Sequence, residues 1–274
     1  MASKPGFRVW NRGKKSVVLD LRETSDLCKA LALTSTADVV LENFRPGIAD
    51  SIGIGYNDVV VGNPSVVYCS ISSFGNQGPF QSLPGYEGLV APSSGIMWEQ
   101  SGVRPGPVYC STPVASFGTT MLALQGILAA LHVRNYTGIG QQVFTSLYEG
   151  AIAIRYPILP IANEIPLFMV NNIHPQGGLP AYRIYPCADG KWLHIGCLTR
   201  WFWDKLSIAI DLPILVVDQR FALAPTGWDK DEDRLSAIDL IASRMKEKPR
   251  SYWLKILEDG DVPSAPVLST QEYM

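Results

Sequence analysis

With 274 residues, 47% hydrophobic and 18% charged, the chain is long enough for one large core or two modest ones and too apolar to be disordered. A formal net charge of −2 and two short basic clusters, Arg12/Lys14/Lys15 and Lys246/Lys248/Arg250, exclude a nucleic-acid footprint and suit only a small anion. Five scattered cysteines without a CxxC pair argue against a disulfide framework, and three histidines (His132, His174, His194) against a zinc site, so a reducing, cytoplasmic setting without a metal is expected.

In chain order, "SVVLDL" (16–21) predicts a buried strand, and "RETSD" leading into "LCKALAL" predicts a helix capped by Ser25 or Asp26. "DVVLENF" (38–44) and "SVVYCSISSF" (65–74) predict two more strands. Continuous apolar strands alternating with helical stretches are the pattern of a parallel sheet with crossover helices. Residues 75–112, rich in Gly, Pro and Ser, are expected as long loops at the carboxyl ends of the strands, where ligands usually sit. A buried helix is expected over 119–134, with Ser116 just before its first turn. "QQVFTSL" predicts a strand and "YEGAIAIRYPIL" a helix. The apolar stretch 151–170 contains Arg155, Pro157, Pro160 and Glu164, so it is no membrane span, and no membrane partner is expected.

The style then changes. Residues 181–197 alternate apolar and polar side chains around Asp189-Gly190 and predict an antiparallel hairpin. "TRWFWDKLSIAI", "DRLSAIDLIASRMKEK" and "SYWLKILED" predict amphipathic helices, with Trp201, Phe202 and Trp203 packing a small core. Cys110 and Cys187 read as packing residues. The division expected is a large α/β domain over 1–165 and a smaller α+β domain over 166–274.

Two segments carry chemistry. "NRGKKSVVLDL" places two lysines and an arginine before a strand, and "ENFRPG" ends the next strand with an amide, a ring, a guanidinium and a tight turn. Both fall at one edge of the sheet, where cations and backbone N–H groups can hold phosphates; a solvated basic rim is the competing reading.

Taken together, "WNRGKKSVVLDL", "ADVVLENFRPG", "GNPSVVYCSISSFGNQGP", "PGYEG", "GILAALHVRNYTGIGQQV" and "YRIYPCADGKWLHIG" resemble the class III CoA-transferase family, the CaiB/BaiF group. The late "DVPSAPV" continues the resemblance. It implies an open parallel sheet with crossover helices, a small α+β domain and an interlocked dimer, either a homodimer or a heterodimer with a homologue. It also implies coenzyme A as substrate, carried as an acyl-CoA, and a carboxylic acid as the other partner. Asn11, Lys14 and Lys15 match the family's CoA-binding strand entry. Asn43, Phe44 and the adjoining Arg45 match contacts near adenine and pyrophosphate; Tyr86 and Glu87 match a pair near the thioester; Gly177 and Gly178 match a glycine loop over the active site.

There are departures. The family's catalytic Asp stands ten residues before a helix glycine, and ten residues before Gly126 stands Ser116. In that mechanism the carboxylate attacks the thioester, and an ester of serine is a poor substitute because alkoxide leaves less readily than carboxylate. The family's racemase branch uses a His in the slot of Tyr86 and a Glu near Thr199; neither is present, so racemisation is not expected. The chain also starts later and stops earlier than the family pattern, which implies a large domain without the family's first βαβ unit. Three roles stand open for Ser116: helix cap, nucleophile, or binding of a thioester carbonyl. Glu87 reads equally as a structural or a functional carboxylate, and Gly177/Gly178 as a turn or a functional loop. The functional expectation is CoA transfer between carboxylic acids; the alternative is an inactive partner subunit or CoA-binding module of an active homologue.

Overall fold

A computed structural model of the chain describes residues 5–99, 106–155 and 175–274. The chain divides into two compact units, Met1–Ile96 with Cys110–Tyr156, and Met97–Tyr109 with Pro157–Met274. The boundary expected at 165/166 and most of the stretch 151–170 lie outside the described residues.

The first unit runs α1 (Pro5–Trp10), α2 (Thr24–Thr34), β1 (Val39–Glu42), α3 (Ile48–Ser51), α4 (Tyr56–Gly62), β2 (Val67–Ser72) and α5 (Glu87–Ser93). The short α6 (Ile96–Glu99) falls at the break, with all but Ile96 in the second unit, and the first unit resumes with α7 (Val114–Thr137), β3 (Gln142–Ser146) and α8 (Leu147–Ile154). The strands form a parallel sheet in the order β1-β2-β3, with Leu41, Cys69 and Val143 in register. Parallel neighbours require crossovers, which α3–α4 and α5–α7 supply. The central strand is buried at Val67, Tyr68 and Cys69. One face packs Tyr68 with Val59 and Val66 against Leu31, Val40 and Tyr56.

On the other face α7 lies over β3, so close that a Cβ on Gly126 would meet Val143 Cγ1 at 2.6 Å. α7 and α8 cross at Gly118 and Gly150, where a Cβ on either would fall 2.2 Å from the other helix's backbone. The buried side of α7 is built from small residues: Ala115, Gly118, Thr119, Ala123 and Ala130. Phe117, Met121, Leu124 and Leu128 face outward and are exposed. Among the described residues α7 is the one helix long and apolar enough to cross a membrane; here it packs on β3 and α8.

Several local expectations are corrected. Residues 16–21 form no strand: Val18 is 92% exposed, and among the described residues β1 bonds only to β2. An apolar run becomes a strand only where a neighbour supplies ladder partners. Neither Ser25 nor Asp26 caps α2; both sit in its first turn after Glu23, and Asp26 accepts the Asp20 N–H at 2.9 Å and pairs Lys29 at 2.7 Å. The expected long loop of 75–112 carries α5 and α6. α7 begins five residues before the predicted start, so Ser116 lies inside the helix.

The second unit holds β4 (Tyr182–Pro186), β5 (Trp192–Gly196), α9 (Arg200–Ala209), α10 (Ile214–Val217), a 3-10 turn at Gln219–Phe221, α11 (Asp231–Met245), α12 (Arg250–Asp259), β6 (Ser264–Val267) and α13 (Thr270–Tyr273). The predicted hairpin is present, with Gly190 at φ +72° in its turn. "SAPV" adds β6 antiparallel to β5, and Pro266 is tolerated because β6 is an edge strand. Leu193 and Ile195 of the sheet pack against Leu206, Ile241, Trp253 and Leu257 of the helices. Of the three aromatics expected in this core, Trp203 is fully buried, its Nε1 donating to Leu215 O at 2.8 Å, and Phe202 lies at the margin. Trp201 is 66% exposed, with the Lys205 ammonium 4.7 Å above its ring. Cys187 is buried, whereas Cys110 is half-buried with its thiol on the Thr112 carbonyl at 3.3 Å.

Candidate active site

The carboxyl ends of β1 and β2 open into a pocket of about 470 Å³. Asn43, Phe44 and Arg45 follow β1 into it, and Ile71, Ser72 and Ser73 close β2 beneath it. Tyr86 and Glu87 enter from the start of α5, and Ser116 from the first turn of α7. Among the described residues that line it, Glu87 is the one carboxylate and Arg45 the one cation.

Local packing sets the carboxylate. Ser73 Oγ donates to the Gly85 carbonyl at 2.8 Å, and a Cβ on Gly85 would stand 2.6 Å from Ser73 Cβ, so glycine lets the loop dock on the end of β2. Two residues later Glu87 opens α5 and reaches across to α7. The N-cap position of α7 is Pro113, which offers no side-chain acceptor, so the amides of the first turn need an acceptor from elsewhere. Glu87 provides it. Ala115 N–H donates to Oε1 at 3.0 Å, Ser116 N–H to Oε2 at 2.7 Å, and Ser116 Oγ–H to Oε2 at 2.6 Å. The capping reading of Ser116 is therefore overturned: Ser116 is the third helical residue, and its hydroxyl donates rather than caps. A carboxylate on the first turn of a 24-residue helix is stabilised by the aligned peptide dipoles.

Tyr86 is 68% exposed and stands at the pocket rim. The Phe44 N–H donates to Glu42 Oε2 at 2.7 Å, which turns the chain at the end of β1. Asn11, Lys14 and Lys15 do not line the pocket; the Asn11 amide folds back on the Phe7 carbonyl at 2.9 Å and Lys14 Nζ donates to Asn11 Oδ1 at 3.2 Å. Their neighbour Trp10 does approach α7, with its ring 6.3 Å from that of Phe117. Ser73, inside the quoted "GNPSVVYCSISSFGNQGP" but given no role there, and Gln81, which no motif marked, line the pocket as well. Gly177 and Gly178 belong to the other unit. There the Arg183 guanidinium donates to the Gly177 carbonyl and, at 2.6 Å, to Gln176 Oε1, and the Arg234 guanidinium donates to the Gly178 carbonyl.

The strand ends hold a second cavity of about 350 Å³, lined by the in-register residues Glu42, Ser70 and Phe144 together with Asp50 and Glu149. Among the described residues that line it, three carboxylates and no cationic side chain make it repel phosphates and carboxylates. Tyr68 lines it too; burial pushes its hydroxyl up, and it donates to Ile54 O at 2.8 Å. Among the described residues no group of three metal-ligating side chains occurs.

These features define an α/β protein whose small-molecule site lies at the carboxyl ends of parallel strands. More specifically, the chain belongs to CoA-transferase family III, whose family model matches residues 2–274. It is 30% identical to the acetyl-CoA:oxalate CoA-transferase of Acetobacter aceti, over 97% of this chain and 68% of that one. It is 29% identical to the succinyl-CoA–D-citramalate CoA-transferase of Chloroflexus aurantiacus, over 96% and 65%. The crystal structure of a hypothetical protein from Mycobacterium tuberculosis superposes with a TM-score of 0.79 at 26% identity, covering 96% of this chain and 70% of that one. The chain spans about two thirds of the length of the curated relatives it matches.

Proposed function

We propose that the chain transfers CoA between carboxylic acids, taking an acyl-CoA and a free acid as substrates. The observation that carries the reading is the Glu87 carboxylate fixed on the first turn of α7, in a family-III chain, in the same pocket as Asn43, Phe44 and Arg45. In this reading Asn43, Phe44 and Arg45 hold the nucleotide end of CoA, and Asn11, Lys14 and Lys15 add polar and cationic contacts at its approach. Arg45 pairs with phosphate oxygens. Tyr86, Glu87 and Ser116 flank the thioester. The working form is an interlocked dimer in the cytoplasm, and the acceptors are small dicarboxylic acids of the kind the relatives' names carry.

The test is an exchange assay. Acetyl-CoA or succinyl-CoA is incubated with the chain and a panel of dicarboxylates, and thioesters are read by mass spectrometry. A new acyl-CoA without accumulation of free CoA supports transfer. Free CoA alone supports hydrolysis instead, and no exchange together with no CoA binding by calorimetry overturns the reading. Ser116, where the family resemblance expects Asp, favours a second reading: a partner subunit that binds CoA and leaves chemistry to a homologue. That reading predicts CoA binding with exchange only in a mixed oligomer.

A further inference from the structure

We infer that Glu87, and not Ser116, forms the covalent bond of this pocket, first to the acyl group and then to CoA. The inference rests on the CoA-transfer reading and says which atom carries it. A hydroxyl can accept an acyl group but cannot become a thioester, whereas a carboxyl can be linked to either an acid or CoA. Among the described residues that line the pocket, the one carboxyl is that of Glu87.

The geometry distinguishes the two oxygens. Oε1 accepts one hydrogen bond, from Ala115 N–H at 3.0 Å. Oε2 accepts two shorter ones, from Ser116 N–H at 2.7 Å and Ser116 Oγ–H at 2.6 Å. The less engaged Oε1 is the attacking atom. It adds to the thioester carbonyl carbon, the C–S bond breaks, CoA leaves as thiolate, and a mixed anhydride remains on Glu87. The thiolate then attacks the Glu87 carbonyl carbon, the bond to Oε1 breaks, the first acid leaves as carboxylate, and Glu87 holds CoA as a thioester. An incoming carboxylate runs the two displacements in reverse and restores Glu87. Charge and atoms balance without a further reactant.

In each attack on the Glu87 carbonyl, negative charge develops on Oε2. Two donors already sit on Oε2, one a backbone amide of the first turn of α7 and one the hydroxyl of Ser116. They act as an oxyanion hole directed at the enzyme's own acyl carbon. Ser116 is then a stabilising donor, and a serine there has a use that no nucleophilic role requires.

The experiment incubates the whole chain with succinyl-CoA, quenches with sodium borohydride or hydroxylamine, and maps modified peptides by mass spectrometry. Exchange onto glutarate is followed in parallel. The expected result is reduction to the alcohol, or the hydroxamate, at Glu87. Ser116→Ala keeps the label at Glu87 and slows exchange on the order of a hundredfold, the effect of losing one oxyanion donor. Glu87→Gln loses both label and exchange, with circular dichroism checking that the variant folds. Label on Ser116, or exchange persisting in Glu87→Gln, overturns the inference and leaves CoA transfer standing. Exchange by the wild type with no label on any residue does the same. Neither exchange nor label overturns both.

Discussion

Replacing Gly150 by Ala is the sharpest test of how the site is built. A Cβ there would lie 2.2 Å from Thr119 N, 2.3 Å from Thr119 Oγ1 and 2.6 Å from Ala115 O. Ordinary van der Waals contact is about 3.5 Å, so α7 and α8 must part by roughly 1 Å, and two of the three opposing atoms are backbone that no rotamer change can move. Overpacking of this kind costs about 3 kcal/mol at the upper end of its range. The shift also loosens Thr119 Oγ1, which holds the carbonyls of Ala115 at 2.7 Å and Ser146 at 2.9 Å, for about 1 kcal/mol more. Better helix propensity returns about 1 kcal/mol, leaving a net loss of about 3 kcal/mol. For a unit of this size that is a fall in Tm of about 10 °C, read by circular dichroism. The same displacement moves the amides of Ala115 and Ser116 off Glu87, so acyl-CoA exchange falls together with stability. Gly88→Ala is the control, since nothing lies within 4 Å of its Cβ position. If Gly150→Ala melts with Gly88→Ala and the wild type, the helix crossing is misplaced and the account of Glu87 fails with it.

Three further outcomes are expected. Burial pushes the Cys187 thiol up to about 11 and the Cys197 thiol up to about 12, while Cys28 is exposed; iodoacetamide at pH 8 should label Cys28 in the native chain and spare the other two, and equal labelling would contradict the small-unit core. Glu272 is held down to about 2 by Lys191, the Ser269 N–H and Arg250, against an ordinary 4.5. Its contribution is therefore complete above about pH 4.5 and lost as pH falls through about 2; denaturant titrations should show Glu272→Gln weaker than the wild type at pH 5 and equal to it near pH 2, and a gap that widens on acidification would be the wrong sign. Arg234→Ala frees the Gly178 carbonyl, and loss of a charged hydrogen bond of about 2 kcal/mol should speed hydrogen exchange at the Tyr182 and Ile184 amides, which donate to Leu179 O and Gln176 O, by tenfold or more. Unchanged exchange would mean that the loop does not depend on the guanidinium.

What could be read in advance was what neighbouring residues decide. Apolar runs marked β1 and β2, "QQVFTSL" marked β3, and alternation around Asp189-Gly190 marked the β4–β5 hairpin, because side-chain period and turn chemistry are local. "SVVLDL" carries the same local signal as those strands, but pairing depends on what lies alongside, and no window of sequence contains that. The start of α7 escaped for a similar reason. Its first amides are satisfied by Glu87, 28 and 29 residues upstream, while the residue in the capping position is a proline. Asn43, Phe44, Arg45, Tyr86, Glu87 and Ser116 were gathered by family resemblance, and the structure places all six around one pocket. The bonds between Glu87 and Ser116, which give those residues their chemical meaning, had no signature in spacing or composition.

The long helix α7 has its side chains sorted by size in the opposite sense to the usual one: small residues inward, where they meet β3 and α8, and Phe117, Met121, Leu124 and Leu128 outward. A map of tolerated substitutions along it would therefore run against hydrophobicity. Inward, at Ala115, Gly118 and Ala123, even one added methylene is resisted, although every change there makes the sequence more apolar. Outward, at Met121, Leu124 and Leu128, polar replacements leave the packing of α7 on β3 and α8 untouched. Volume, rather than polarity, is the information that α7 stores about the position of its first turn, and with it about the place where Glu87 is held.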